Sequence, residues 1–308
     1  MHFNQYLKSC RQHSSLTQEQ LVQELYSFDI DNFEGLDTAA LSKWESATTR
    51  PTTSRQIAIM KYFQQLTGTK LPCWEGYSDD EIEDLICNVG MKNLLGKNKQ
   101  FVSGFPSQNM NVNNMKIHLL RTINSMDTLL EINMDLHQAS NHPLTQISLD
   151  QFKEWSLHPS SFFIACEYKG IFVGLFLNIK LKQQVFDDMV NFKIKKSDIT
   201  VDDFALPDEV GSTSILSFYA LNAKVATTLF VRYYAYLISN QNVINEIGGV
   251  TMQDEAAKIV KNMNLDYSGS MITEDDVKIK SYRQTLSNVF ASENVVKMLF
   301  MKQECPET

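Results

Sequence analysis

Along the first 66 residues, apolar positions recur at helical spacing in short blocks broken by polar turns. Residues 7–11 form one such block and end in the polar turn His13-Ser14-Ser15. Leu16 opens the next, with Thr17 as N-cap and Gln20 three residues later, the spacing of a capping box. After a longer stretch from Tyr26 to Gly35, a third block runs from Leu36 to Glu45, capped by Asp37 or Thr38. Leu41 and Trp44 are expected to face the core there, leaving Thr38, Ala39, Ser42 and Lys43 outward. Arg50-Pro51-Thr52 stops that segment, and Gln56–Leu66 reads as a further helix. Beyond a turn cluster at 67–72, Ser78 is placed to cap an acidic helix opening Asp79-Asp80-Glu81, with Gly90 at its end. Residues 103–114 (SGFPSQNMNVNN) lack any period and read as a linker.

From Met115 onward the period changes repeatedly. Met115–His137 spaces Leu119, Ile123, Met126, Leu130 and Met134 by three or four, which predicts one helix face. Ser161–Glu167 and Ile171–Ile179 are β-rich runs joined by Tyr168-Lys169-Gly170, a hairpin signal. Ser214–Leu221 and Val277–Tyr282 read as strands; Lys224–Ser239 and Gln253–Met263 read as helices. The expected organisation is multi-domain: an all-α domain at 1–66, a helical connector and linker at 67–114, and an α+β domain at 115–308.

Composition narrows what such a chain does. Its 308 residues are 43% hydrophobic with only 12 Gly and 7 Pro, which excludes a disordered, collagenous or rod-like protein. The net charge of −8 argues against a protein that coats nucleic acid non-specifically. Residues 1–66 carry six bases and seven acids, so most of the acidic excess lies elsewhere. The 5 cysteines include no CxxC and fit reduced thiols in a cytoplasmic protein. Neither a signal-type start nor an apolar run of about 18 residues is present, and no membrane partner is expected. The histidines form no ligand-type spacing, so no metal is expected. Asp202-Asp203 and Asp275-Asp276 read as solvated loops, and isolated cysteines such as Cys73 and Cys87 as buried thiols.

LTQEQLV at 16–22, LSKWES at 41–46 and Arg50-Pro51 together resemble the Cro/repressor-type (Xre) helix-turn-helix family over roughly residues 3–66. The stretch 26–35 is longer than the tight turn usual there. The resemblance implies a sequence-specific transcriptional regulator whose third helix enters the major groove of an operator duplex. Thr38, Ser42 and Lys43 are then the base or near-base contacts, with Ala39 against a thymine methyl. Gln18, Arg50 and Thr53 are placed for phosphates. Glu45 is expected to pair with a base inside the domain, Arg11 among the candidates. The near-neutral charge implies a homodimer for useful affinity.

FFIACEYKGIFVGLFL at 162–177, SILSFYALNAKVATTLFVRYYAYL at 214–237 and DEAAKIVKNMNL at 254–265 resemble the GNAT acetyltransferase fold. That resemblance implies an acyl-coenzyme A site where the central strand meets the next helix, its pyrophosphate cradled by a glycine-rich turn. Here the turn reads Asn222-Ala223-Lys224-Val225-Ala226-Thr227, without glycine. The expectation is therefore no catalytic residue and no cofactor, with Asn222 and Lys224 meeting an anionic small-molecule effector. The domain would serve as a ligand sensor or dimerisation scaffold. The aromatic residues Phe218, Tyr219, Phe230, Tyr233, Tyr234 and Tyr236 line either a pocket or plain core. An active N-acyltransferase with a DNA-targeting module is the alternative, and an adaptor or antitoxin-like interaction protein is a third reading.

Overall fold

The computed structural model describes residues 1–86, 110, 111, 114–139, 147–252, 254–273 and 276–300. Most of the expected linker at 103–114 lies outside these residues, as do Gly90, Cys87, His142, Asp275 and Cys305. The chain divides into two compact units. One comprises Met1–Leu94, Tyr234–Asn242 and Leu286–Thr308; the other comprises Leu95–Tyr233 and Val243–Thr285.

The first unit is helical: α1 (Phe3–His13), α2 (Gln18–Phe28), α3 (Ile30–Phe33), α4 (Thr38–Glu45), α5 (Thr53–Thr67) and α6 (Asp79–Leu85). Local chemistry explains most boundaries. Thr17 Oγ1 accepts from Gln20 N while Gln20 Oε1 accepts from Thr17 N, so two otherwise orphaned donors are satisfied together. Asp37 caps α4 through Ala40 N at 2.7 Å, and Ser78 and Glu81 form a capping box on α6. Within the long stretch after α2, Asp29 caps a further turn, α3, which buries Phe33. Leu41 and Trp44 are buried, and Thr38, Ala39, Ser42 and Lys43 are exposed. The last described segments, α12 (Leu286–Phe290) and α13 (Glu293–Phe300), complete this unit. The Phe300 ring meets Phe3 edge-on at 5.2 Å and Tyr6 at 5.0 Å, and its carbonyl accepts from Arg50 at 2.9 Å.

The second unit is a mixed seven-stranded sheet in the order β1-β2-β3-β4-β5-β7-β6. Its strands are β1 (Met115–Leu119), β2 (Ser161–Tyr168), β3 (Ile171–Leu181), β4 (Gly211–Ala220), β5 (Ile244–Thr251), β6 (Asp266–Ile272) and β7 (Lys278–Thr285). Among these described strands, only β4 and β5 run parallel. The 115–137 helix read from periodicity is corrected by this sheet. Residues 115–119 pair antiparallel with β2, and the helix α7 (Met126–Ala139) begins only at Met126. Met115, Ile117 and Leu119 also alternate with period two, and cross-strand hydrogen bonding decides between the two readings. The β2–β3 hairpin turns at Lys169 (φ 53°) and Gly170 (φ 81°), the left-handed pair that a two-residue turn requires.

Helices cover both faces. Leu175, Leu177, Ile179 and Leu181 share a core with Leu129 and Leu130 of α7, with Phe152 and Trp155 of α8 (Leu149–Leu157), and with Phe186 and Met189 of α9 (Gln183–Val190). Gly174, on the alternate face, lies under α10 (Ala223–Ser239). A Cβ at Gly174 would stand 2.6 Å from Val225 Cγ1, so the helix can seat at this depth only over glycine. Gly248 of β5 plays the same part for Phe186, at 2.7 Å. The final helix of this unit is α11 (Asp254–Asn262). Phe218 and Phe230 stack at 4.9 Å and Phe176 and Tyr233 at 4.5 Å, with Phe230, Tyr233 and Tyr234 buried. Phe230, Tyr233 and Tyr234 are thus core, whereas Phe218, Tyr219 and Tyr236 are half-buried.

Candidate functional site

The geometry of β4 sets the candidate site. Its register against β3 slips between Leu177 and Asn178, which face Ser217 and Ile215, so Leu216 is the extra residue of a β-bulge. The bulge turns Ser217 toward α7, where its Oγ donates to Asn133 Oδ1 at 2.7 Å. On the other edge, parallel pairing with β5 begins at Gly211↔Ile244 and ends at Ile215↔Gly249. Strand β4 continues to Ala220 and β5 to Thr251, so the two strands part beyond that point. Parallel strands that part and lead into a helix leave backbone groups at their carboxyl ends open to a ligand, as at the switch points of open parallel sheets.

Asn133 is only 1% exposed, and among the described residues its Nδ2 has no acceptor. A buried amide donor without a partner costs about 1–3 kcal/mol. Neither Asn133 nor Ser217 was singled out from sequence. The one available signal is that Asn133 interrupts an apolar face carrying Leu129, Leu130 and Met134.

The loop from β4 into α10 is where Asn222 and Lys224 were expected to meet an anion. Asn222 is buried, and its Oδ1 accepts from Lys224 N at 3.0 Å and Val225 N at 3.1 Å, capping α10. Its Nδ2 reaches Met110 Sδ at 2.8 Å, and Lys224 Nζ donates to the Met110 carbonyl at 2.8 Å. Two backbone donors of the first turn, Lys224 N and Val225 N, are thus already bonded to a side-chain oxygen, and a Cβ stands at every position from 222 to 227. These residues do not fit the pyrophosphate of coenzyme A.

Of the residues expected on DNA, Thr38, Ala39, Ser42 and Lys43 lie on one exposed face of α4. Gln18 is engaged internally: its Nε2 donates to Glu45 Oε2 at 2.8 Å, beside the two-point pair in which Arg11 Nε and Nη2 meet Glu45 at 2.6 and 2.9 Å. Arg50 donates to Phe300, and Thr53 is half-buried in the first turn of α5. The Arg11–Glu45 pair is the internal partnership offered as a candidate. Among the described residues, no group of three His, Cys, Asp or Glu is disposed to hold a metal, and no helix is long and apolar enough to cross a membrane.

No protein-family model matches the chain, and neither does any curated protein sequence. Among solved structures, the chain is similar to FeeM, an N-acyl amino acid synthase from uncultured soil microbes, with 8% identity and a TM-score of 0.40. That match covers 57% of this chain and 91% of FeeM. It is also similar to a GNAT-family acetyltransferase from Streptococcus agalactiae (10% identity, TM-score 0.35, 57% of this chain and 98% of that one). A probable acetyltransferase from Staphylococcus epidermidis matches at 9% identity and TM-score 0.34, over 56% of this chain and 98% of that one. The chain's own sheet, with its seven-strand order, one parallel pair among the described strands and a helix crossing from β4 to β5, is a mixed α+β fold.

Proposed function

We propose that the sheet unit is an N-acyltransferase that takes its acyl group from a thioester. One observation carries this reading: β4 and β5 part after Ile215 and Gly249, beside a β4 bulge that presents Ser217 to Asn133. An extended amide-bearing arm lies along a strand edge by backbone hydrogen bonds, as an added strand does. The thioester carbonyl then sits near the Ser217–Asn133 pair, whose amide supplies a donor to the oxygen that becomes negative during attack. The amine's nitrogen forms the new C–N bond, the C–S bond breaks, and the leaving thiolate takes up the proton lost by nitrogen. Because residues 222–227 do not fit a pyrophosphate, the donor is held by its arm and acyl chain rather than by a nucleotide.

The test is product formation by the full chain from a panel of acyl thioesters and amines, amino acids included, read by mass spectrometry. Asn133→Ala is expected to lower kcat/KM by about 100-fold, the lower end of the range for losing one transition-state donor. If no acyl thioester binds saturably by calorimetry, the reading fails.

A second reading belongs to the helical unit, supported by the exposed row Thr38, Ala39, Ser42 and Lys43 over the buried Leu41 and Trp44 of α4. We propose that a homodimer presents this row to the major groove of an operator. Pairing two weak, near-neutral units would supply the affinity. Genomic fragments retained by the chain at low salt identify the site. Ser42→Ala with Lys43→Ala is then expected to erase the preference for that site over random duplex; an unchanged preference removes the assignment.

A further inference from the structure

Cys10 and Cys73 are 63 residues apart in sequence, and their Sγ atoms lie 3.4 Å from each other in the helical unit. Cys10 is buried on α1, as are Tyr6 and Leu7, whereas Cys73 is half-exposed in the turn that follows Leu71 and Pro72. That turn holds Cys73 at φ 65°, a left-handed conformation uncommon for a residue with a Cβ, and so aims the thiol inward at Cys10. Both cysteines line a cavity of about 540 Å³ together with His13, Glu75 and Tyr77, and Cys73 is the more exposed of the two. Nothing in the acyl-transfer or DNA readings uses this pair.

We infer that Cys73 is a peroxide-modified thiol and Cys10 its resolving partner, together forming a reversible disulfide across the helical unit. A hydroperoxide in the cavity reacts at Cys73, the more exposed of the two sulfurs. The sulfur attacks the distal peroxide oxygen, the S–O bond forms, the O–O bond breaks, and the alcohol or water leaves with a proton from solvent. Sulfur has then given up two electrons, and Cys73 carries a sulfenic acid. Cys10 Sγ attacks Cys73 Sγ, the S–S bond forms, the S–O bond breaks, and the hydroxide leaves as water with the Cys10 proton. The approach needed is from 3.4 Å to the disulfide length of about 2.0 Å, a side-chain adjustment.

The electrostatics agree with this division of roles. The hydrogen bond from Cys10, aided by the nearby His13, holds the Cys73 thiol below its ordinary range. The same hydrogen bond to Cys73, together with burial, pushes the Cys10 thiol far up. The thiolate therefore forms on the accessible sulfur. The resulting bridge closes a 63-residue loop containing α2 to α5, which restricts the unfolded chain.

The full chain is treated with stepwise hydrogen peroxide, quenched with iodoacetamide and mapped by tryptic mass spectrometry. A Cys10–Cys73 cross-linked peptide is expected before any oxidation of Cys166, whose thiol burial pushes up to about 12. Cys10→Ser is expected to accumulate a Cys73 sulfenic acid captured by a cyclic 1,3-diketone, and Cys73→Ser to leave Cys10 reduced. The thermal transition of the helical unit is expected to rise by about 4 °C or more on oxidation and to return with a reductant. Cys73 reacting no faster than Cys166, or pairing with a cysteine other than Cys10, overturns the inference. The wild-type peptide map decides the matter even if a variant does not fold.

Discussion

Glu45 shows how a single side chain is fixed by its surroundings. Burial by itself would raise its pKa, but hydrogen bonds from Arg11 and Gln18 and the Arg11 charge bring it below the usual glutamate range. A carboxyl depressed in the folded state adds stability above its unfolded pKa and loses that contribution as pH falls through the folded value. Glu45→Gln is therefore expected to lower the urea midpoint of the helical unit at pH 7. The gap from wild type is expected to shrink as pH falls below about 4, near the unfolded glutamate pKa. A gap that stays constant with pH would mean that packing, not charge, holds Glu45. Caps such as Thr17 with Gln20, Asp37 and Ser78 with Glu81 were legible from sequence because both partners lie within one turn. The Asn133 donor and the Cys10–Cys73 pair were not, since their meaning comes from residues tens of positions away.

At the scale of elements, the decisive piece is the junction of β4 with α10. Asn222 caps that helix from a buried position, so Asn222→Ala is expected to cost the sheet unit about 1 kcal/mol in chemical denaturation. The same capping leads to a donor prediction. Pantetheine thioesters, which lack the nucleotide, are expected to serve with kcat/KM within about tenfold of the corresponding coenzyme A thioesters. One bidentate phosphate recognition would separate them by more, because each 1.4 kcal/mol is tenfold. Strand β5 and helices α8, α9 and α13 escaped the sequence pattern for identifiable reasons. The β5 run INEIGGVT carries Gly248, which weakens strand propensity and is needed because Phe186 occupies the space of its Cβ. The helices are short, eight or nine residues each, so few turns are available to establish a period.

For the molecule as a whole, the helical unit takes segments from both ends of the chain. Phe300 packs on Phe3 and Tyr6, and Gln64 Nε2 donates to Ser287 O at 2.9 Å. A fragment 1–114 lacks those partners. It is expected to melt at lower temperature and less cooperatively than the helical unit in the full chain, followed by Trp44 and Trp74 fluorescence. An unchanged melt would show that α12 and α13 add nothing. The expected division at 115 thus meets a chain whose last described residues cluster with its first.

Sequence alone determined the helical character of residues 1–66, the capped starts of α2, α4 and α6, the outward row on α4, the β2–β3 hairpin and the long apolar helix after β4. Each rests on contacts between residues a few positions apart, where propensity and periodicity act directly. Tertiary structure decided the rest: 115–119 as a strand, the parting of β4 from β5, the self-capped loop at 222–227 and the meeting of Cys10 with Cys73. Those outcomes depend on pairing across a sheet or packing between distant segments, where the partner's position rather than the local pattern sets the free energy.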